Sequence, residues 1–412
     1  MTSLLRSTAL IALGCLALST LTAQPASAPE DGLAERVEQQ IASQAGLDGV
    51  RVSDREGTVI LEGVVRTPSE RDRVIAAAEK VPGVVTVDPR LRVEPAARDR
   101  AQIRKDVAAA LSQDSATAYI DPKISVQGSV VTLAGQAESA TDALLAIAIA
   151  EDVRGVSEVV NRLEITDSTR TDAEIQSDLR VELAASIVID DPIEAEVQKG
   201  SVHLRGVVDT AFERSWAIRK AWGVRGVRQV DASDLRINPR HPARSSAERS
   251  VSREEARRAI ISALRNDPRV RPSQPEVQVE GERVTLAGEV RTLAAKRRAE
   301  QLARLVVGVR SVDNQLQIAP GASVSDQELE RQADAALDRH AVVEPDEVDV
   351  HAKAGQLTLT GQVNSEIEKQ IAENLVAALP GATGVINRIN VRVAPEYEVG
   401  QRKANRNSSP SE

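Results

Sequence analysis

The sequence predicts an α+β protein made of tandem repeats, each a small αββαβ unit in which a mixed three-stranded sheet packs against two helices. Three observations indicate this fold class. A segment of alternating apolar residues leads to a glycine five times, with steps of 72, 71, 82 and 73 residues: Gly63, Gly135, Gly206, Gly288 and Gly361. A second glycine follows each of these after 20 positions: Gly83, Gly155, Gly226, Gly308 and Gly381. Between the two glycines, every copy carries an apolar stripe at helical spacing, which predicts a structural repeat.

The first copy shows the expected order of elements. A helix is predicted over residues 33–43, a strand around 50–52, a turn through Gly57 and a second strand over 59–65. A second helix over 68–80 and a third extended segment over 84–93 follow. The short turn makes the first two strands an antiparallel hairpin, whereas the helical crossover makes the second and third strands parallel.

A serine or threonine begins the second helix of every copy: Thr67, Ser139, Thr210, Thr292 and Ser365. Its side-chain oxygen can accept a hydrogen bond from a first-turn N–H, and an acid three residues later favours the same helix end. The fourth copy has Ala295 at that position, and the others have an acid: Glu70, Asp142, Glu213 and Glu368. First helices repeat the pattern at Thr171, Ser252 and Ser325. These acids are therefore interpreted as helix caps rather than catalysts.

The apolar stripe of the second helix follows i, i+4, i+7 spacing, which places its residues on one helix face. We expect these side chains to form the core: Val74, Ala78 and Val81; Ala146, Ala150 and Val153; Ala217, Ala221 and Val224; Ala299, Ala303 and Val306; Ala372, Val376 and Leu379. The glycine column from Gly83 to Gly381 is predicted to be the helix C′ position, where left-handed geometry turns the chain back.

The glycine-marked strand, the capped helix and a closing Gly-Val with a later Asn-x-Leu/Ile resemble the BON domain, named for bacterial OsmY and nodulation proteins. Clear endings are Gly-Val-Ser-Glu-Val-Val-Asn-Arg-Leu at 155–163 and Val-Arg-Ser-Val-Asp-Asn-Gln-Leu at 309–316. The third copy lacks the asparagine at 230–234, and the first has Asp88-Pro89. The resemblance implies a periplasmic or envelope protein with a role in phospholipid-surface interaction, envelope integrity, osmotic stress or protein binding, rather than catalysis.

The predicted division of the chain follows the period. BON repeats are expected over residues 31–95, 99–166, 170–238, 252–320 and 325–395, with a linker over 239–251 and a disordered tail over 400–412. Residues 1–28 have the layout of a secretory signal peptide, with Arg6 before an apolar run that is too short for a membrane span. The single cysteine, Cys15, weakly resembles a lipoprotein processing site, and a cysteine inside a discarded signal is the favoured alternative.

Composition and charge restrict the function. A formal net charge of −9 argues against binding along nucleic acid, which needs a basic face. The four histidines, His203, His241, His340 and His351, lack the spacing of a metal or hydrolytic motif, and glycines stand singly rather than in a phosphate-binding loop. His203 is expected on the outer face of its strand. No enzyme activity, cofactor or metal is predicted.

Two groups of residues are not explained by the structural requirements of the repeat. Three of the five aromatic residues lie on the second helix of the third repeat, with basic neighbours that include Arg219 and Lys220: Phe212, Trp216 and Trp222. The helix-period calculation places both tryptophans away from the core stripe, so they either form an exposed binding surface or cover a neighbouring repeat. The second helix of the fourth repeat is basic, in a repeat of net charge +4, and carries Arg291, Lys296, Arg297 and Arg298.

These groups are the predicted binding residues, and two hypotheses for their partner remain open. The first is peripheral association with an anionic phospholipid surface, to which basic residues contribute. The second is a soluble envelope protein-binding scaffold or chaperone-like stress protein, in which five modules provide several weak contacts. The sequence does not predict the ligand, the arrangement of the repeats or the oligomeric state.

Overall fold

The structure is a computed structural model that describes residues 32–45, 50–166, 170–189, 192–238, 251–319, 324–344 and 347–392. The first unit comprises α1 (Leu33–Ala45), β1 (Arg51–Arg55), β2 (Thr58–Val65), α2 (Pro68–Glu79) and β3 (Thr86–Val93). The second comprises α3 (Arg100–Gln113), β4 (Lys123–Gln127), β5 (Val130–Ala137), α4 (Ala140–Glu151) and β6 (Glu158–Ile165). The predicted signal peptide and Cys15, most of the predicted linker and the predicted tail lie outside the described residues.

The remaining units repeat this order. The third comprises α5 (Asp172–Ala184), β7 (Glu194–Gln198), β8 (Ser201–Val208), α6 (Ala211–Gly223) and β9 (Gln229–Ile237). The fourth comprises α7 (Arg253–Asn266), β10 (Glu276–Glu280), β11 (Arg283–Ala287), β12 (Glu289–Val290), α8 (Leu293–Arg304), β13 (Ser311–Asn314) and β14 (Gln317–Ile318). The fifth comprises α9 (Asp326–Arg339), β15 (Val348–Lys353), β16 (Gln356–Val363), α10 (Glu366–Ala377), β17 (Gly384–Asn387) and β18 (Asn390–Val391).

Each unit has the predicted mixed sheet. In the first unit, β2 is the central strand; it pairs with β1 antiparallel, with Val52 opposite Leu61, and with β3 parallel, with Val59 opposite Val87. In the fourth unit, the second strand is interrupted at Gly288, which separates β11 from β12. The α+β repeat fold expected from the sequence is therefore confirmed.

The core of each unit lies between its sheet and its two helices. All fifteen residues of the predicted stripe are buried, with Val74, Ala146, Ala217, Ala299 and Ala372 at 0% exposure. They pack against inward strand residues such as Val59 and Leu61 in the first unit and their counterparts in the others. Small alanines on this face allow close approach of helix and sheet.

The predicted caps are present, with one difference in detail. Thr67, Ser139, Thr210, Thr292 and Ser365 each accept a hydrogen bond from the backbone N–H three residues later. However, the acid does not reach the backbone N–H of the cap residue itself. Glu70 accepts from Arg66 N at 2.7 Å and Glu368 from Asn364 N at 2.9 Å, one residue before the cap. The full capping box occurs in two first helices, at Thr171 and Ser252.

The prediction that the second glycines occupy the helix C′ position is wrong. These glycines have positive φ as expected, but they lie two or three residues beyond the helix C-cap. In the first unit, two short turns follow the helix, with Val81 N donating to Ala78 O and Val84 N donating to Val81 O. The intervening positions belong to the apolar core, since Val81 is buried, and the glycine closes the second turn.

Helices make most of the contacts between units. The four pairs α4–α6, α5–α7, α8–α10 and α3–α9 are in contact, so the second, third, fourth and fifth units form a closed cycle. The first unit joins it because α2 contacts both α4 and α6. The helical layers therefore meet at the junctions, and outer positions of the sheets, such as Val64, remain exposed.

Two of these junctions share one backbone pattern. At the junction of the third and fourth units, Ile187 N donates to Leu305 O at 3.1 Å and Val307 N donates to Ala185 O at 2.8 Å. The second and fifth units repeat both bonds, from Ala341 N to Asp152 O and from Arg154 N to Arg339 O. At the position equivalent to Arg154, the first unit has Pro82 and the fifth has Pro380. Because proline has no N–H, neither residue can donate the bond that Arg154 N donates.

Candidate binding surfaces

The aromatic helix α6 lies at a junction of three units instead of forming an exposed surface. Phe212, Trp216 and Trp222 are all half-buried, and both tryptophans pack against the core of the third unit. Lys80 of the first unit lies over the Phe212 ring at 5.0 Å, and Ser215 donates to Glu79 at 2.9 Å. Thr141 of the second unit donates to Gly223 O at 2.9 Å. The structure thus favours the reading in which this helix covers neighbouring units.

The basic neighbours on α6 differ in their surroundings. Arg219 is exposed, with its guanidinium 5.8 Å from the Phe212 ring. The Lys220 ammonium lies 5.4 Å from the Trp216 ring and 3.1 Å from the buried Glu182 carboxylate. That carboxylate also accepts from Ser262 and Asn266 of the fourth unit, at 2.8 and 2.7 Å. Lys220 is therefore part of an internal network that holds the third and fourth units together.

The predicted basic residues on α8 are largely engaged within the protein. Arg297 pairs with Glu373 of the fifth unit at 2.7 Å, and Arg298 pairs with Asp267 at 2.7 Å. Lys296 is half-buried, whereas Arg291, just before the helix, is exposed. The structure does not bring these side chains together with the α6 aromatics in one open patch. It assigns Arg297 to the contact between α8 and α10.

A different helix carries the open basic surface. Arg253, Arg257, Arg258 and Arg265 of α7 are all exposed, and we call them the α7 arginine surface. The opposite face of α7 is fixed because Ala256, Ala259, Ile260 and Ala263 are buried in the core of the fourth unit. Sequence reasoning overlooked this surface. The i, i+4, i+8 spacing of Arg257, Ile261 and Arg265 was the available signal, because it places the three on one side of a helix.

Beside this surface is a cleft of about 560 Å³, here called the arginine cleft. It lies between α7 and the edge strand β10, and Arg225, in the turn after α6, also lines it. The lining includes four arginines and an apolar part: Arg225, Arg257, Arg265 and Arg271, with Ile261, Leu264, Pro275 and Val277. Arg271 is oriented by the fully buried Asp142 at 3.2 Å and by Glu138 at 3.3 Å.

The described part of the chain shows no group of three or more acidic, histidine or cysteine residues placed to hold a metal ion. Within the same residues, no helix has the length and apolar character needed to cross a membrane. His203 lies on the outer sheet face, where its Nε2 is 2.9 Å from Asp234. His340, by contrast, is buried between the second and fifth units.

Comparison with known proteins agrees with the repeat architecture. The BON domain profile matches residues 29–95, 99–167, 171–239, 252–320 and 325–393. The chain belongs to the BON domain family. A curated relative in this family, osmotically-inducible protein Y of Escherichia coli strain K12, is 32% identical over 143 residues, which span 32% of this chain and 70% of that protein.

The solved structures that resemble this BON protein have lower sequence identity to it than the relative from Escherichia coli. Two structures of CdsD, a structural protein of the type III secretion system of Chlamydia trachomatis, are 17% and 16% identical to it. They cover 50% and 51% of this chain, and 92% and 100% of their own chains. Both have a TM-score of 0.15, which supports no conclusion about the arrangement of the units.

Proposed function

We propose that this BON protein is a non-catalytic protein of the bacterial periplasm or envelope that associates with anionic phospholipid surfaces and supports the envelope under osmotic stress. The family and the likeness to an osmotically inducible protein support the osmotic-stress and envelope theme. The secretory layout of residues 1–28 supports export. The acids of the repeated caps are occupied in hydrogen bonds at helix ends, which supports a role without catalysis.

The observation that carries the lipid proposal is the α7 arginine surface. Its four arginines are exposed, whereas Arg297 and Arg298 on α8 are held in ion pairs at 2.7 Å. Of the acids in the first turn of α7, Glu255 caps the helix N-terminus, and Glu254 forms a solvent-exposed ion pair with Arg257 at 3.6 Å, which contributes little. Basic residues near an anionic membrane each contribute about 1 kcal/mol. We therefore place membrane contact on the fourth unit and include the exposed Arg291.

Binding to vesicles tests this proposal. We expect the protein to co-sediment with phosphatidylglycerol-containing vesicles at low salt, and to bind neutral phosphatidylcholine vesicles at least tenfold more weakly. Because contact with the headgroups is electrostatic, added salt should release it. Replacing Arg253, Arg258 and Arg291 by glutamate should weaken binding at least tenfold, since three attractions of about 1 kcal/mol each become repulsions.

The matched control makes the same charge change elsewhere. Arg92, Arg180 and Arg331 are exposed and lie in the first, third and fifth units, so their replacement by glutamate should leave binding within about threefold of the original. Equal loss in both triple variants would show that net charge, rather than the fourth unit, controls binding. No binding to anionic vesicles would exclude the lipid proposal.

The alternative is a protein-binding scaffold, and the exposed sheet faces favour it. Because helices meet at the junctions, the cycle of units displays sheets outward, with exposed apolar side chains such as Val64. Such a scaffold should bind partner proteins in a salt-resistant way without lipid, and it should suppress aggregation of a thermally unfolding test enzyme. Neither property should depend on Arg253, Arg258 or Arg291.

A further inference from the structure

The arginine cleft has a geometry that a flat membrane contact does not require. Along α7, Arg257, Ile261 and Arg265 follow one another at four-residue spacing and form one wall. The facing wall is formed by Pro275, which precedes the edge strand β10, and by Glu276 and Val277, the first two residues of that strand. The volume of about 560 Å³ falls within the usual range for small-molecule sites.

We propose that the arginine cleft binds a phosphate ester, with the phosphoryl group on Arg257 and Arg265 and the carbon part against Ile261, Leu264 and Pro275. This inference deepens the proposed function and rests on it only for the source of the ester. The same chemistry is present in a phospholipid headgroup and in a free phosphate ester.

The charge in the cleft is available to a ligand. Arg265 is exposed, and no acid of the described chain forms an ion pair with it. Arg257 donates through Nε to Val277 O at 3.3 Å and has a solvent-exposed ion pair with Glu254 at 3.6 Å. A planar guanidinium binds phosphate oxygens through two parallel N–H groups, and an exposed ion pair offers little competition.

The other charged residues of the lining define its shape. Arg271 already has two carboxylate partners, Asp142 and Glu138, so its charge is compensated. Glu276 is an exposed acid at the start of β10, and repulsion from it disfavours ligands with negative charge spread along their whole length. A single compact anionic group beside a short carbon chain therefore fits better than a polyanion.

The third unit supplies a substitution for testing the site. Its residue Gln176 occupies the position of Arg257, and its amide donates to Ala195 O of the edge strand at 3.2 Å. A glutamine at position 257 can therefore keep the bond to Val277 O and remove only the charge. The test variant is Arg257→Gln/Arg265→Gln. The matched control is Arg92→Gln/Arg180→Gln, which removes two exposed charges from the first and third units, outside both the cleft lining and the α7 arginine surface.

Titration calorimetry on the full protein with sn-glycerol 3-phosphate, inorganic phosphate and glycerol tests the proposal, together with vesicle sedimentation of the same variants. We expect saturable binding of glycerol phosphate at one site, weaker binding of inorganic phosphate and none of glycerol. The cleft variant should lose at least tenfold in affinity, and the control variant should stay within about twofold. Circular dichroism and urea unfolding should be the same for all three proteins.

Each outcome decides between the alternatives. If glycerol phosphate does not bind but the cleft variant loses vesicle binding that the control retains, the site holds a lipid headgroup. If the cleft variant binds glycerol phosphate and vesicles as the unmodified protein does, or if neither ligand binds, the cleft proposal is wrong. If both variants retain vesicle binding and no ester binds, the result supports the proposed function and excludes the cleft proposal.

If the ester binds but vesicles do not, the result excludes the proposed function and supports the cleft proposal. Inorganic phosphate that binds as tightly as the ester would contradict the role of the apolar lining.

Discussion

His340 shows how a single side chain can link solution conditions to the junction between units. Its Nδ1 accepts a hydrogen bond from Val342 N at 3.2 Å, and its Nε2 is 4.0 Å from Asp152 of the second unit. Burial lowers the pKa of His340 below its ordinary value of about 6.5. Asp152 and Glu70 oppose this effect, while Arg73 and Arg154 add to it. The folded protein therefore holds this imidazole neutral.

The first prediction concerns the pH dependence of stability. An unfolded histidine takes up a proton near pH 6.5, but buried His340 resists it, so its contribution is complete above pH 6.5 and falls as the pH drops below it. Between pH 7.5 and 5.5, urea unfolding should show stability that falls as the pH drops below 6.5, by no more than about 1.4 kcal/mol per pH unit from this one proton. His340→Gln should reduce this slope, and His351→Gln, at an exposed site, should not. An unchanged slope in His340→Gln would contradict the assignment.

Single-residue reasoning from the sequence succeeded where the cause is local. The cap oxygens and the core stripe depend on neighbours within a few positions, and both are present in the structure. It left two interpretations open for Trp216 and Trp222, because helix periodicity places them off the core stripe of their own helix without showing what covers them. Whether such a side chain meets solvent or another unit depends on the arrangement of the units, which the period does not contain.

At the scale of elements, the turn after each second helix brings two segments of a unit together. In the third unit, Gly226 has a φ of 91°, and a Cβ there would lie 2.8 Å from Ile175 Cδ1 and 3.2 Å from Arg170 Cβ. The glycine therefore lets the first helix and the segment before it pack against the turn. In the fourth unit, Gly308 has a φ of 83°, but nothing lies within 4 Å of an added Cβ.

These two glycines form a matched pair for the second prediction, which belongs to the scale of elements. Gly308→Ala should cost about 1 kcal/mol from the left-handed backbone alone. Gly226→Ala should cost at least about 2 kcal/mol, because the crowding of Ile175 adds to the same backbone strain. Denaturant unfolding of each variant measures the difference. Equal losses would show that the close packing at Gly226 is not needed.

At the scale of the whole molecule, contacts between units decide which faces remain open. Arg154 of the second unit donates to three backbone carbonyls of the fifth, those of Asp338, His340 and Val343, at 3.3, 3.1 and 2.7 Å. The Glu182 carboxylate joins the third and fourth units in a similar way, because it accepts hydrogen bonds from the fourth unit and pairs with Lys220 of the third. With these junctions closed, helix α6 is largely covered and the arginines of α7 are exposed.

The sequence predicted the five units and their internal topology because the period repeats every local signal. It did not predict the cycle of units, since that depends on side chains that differ between copies, such as Glu182, Asn266 and Arg154. The excess of basic residues in the fourth unit was visible, but the sequence did not show which of them form close ion pairs. Arg297 of α8 is paired with Glu373 of another unit at 2.7 Å, whereas the ion pair of Arg257 on α7 is solvent-exposed, at 3.6 Å.

The most direct measurement is arginine labelling of the full protein with phenylglyoxal, with and without phosphatidylglycerol vesicles, read by mass spectrometry. The proposed function predicts that vesicles protect Arg253, Arg257, Arg258 and Arg265, while the exposed Arg92, Arg180 and Arg331 label as before. Tryptophan emission from Trp216 and Trp222 should not change, because both stay at the junction of the units. Protection of Arg219 together with a blue shift in that emission, and no protection on α7, would contradict the account and return the membrane contact to α6.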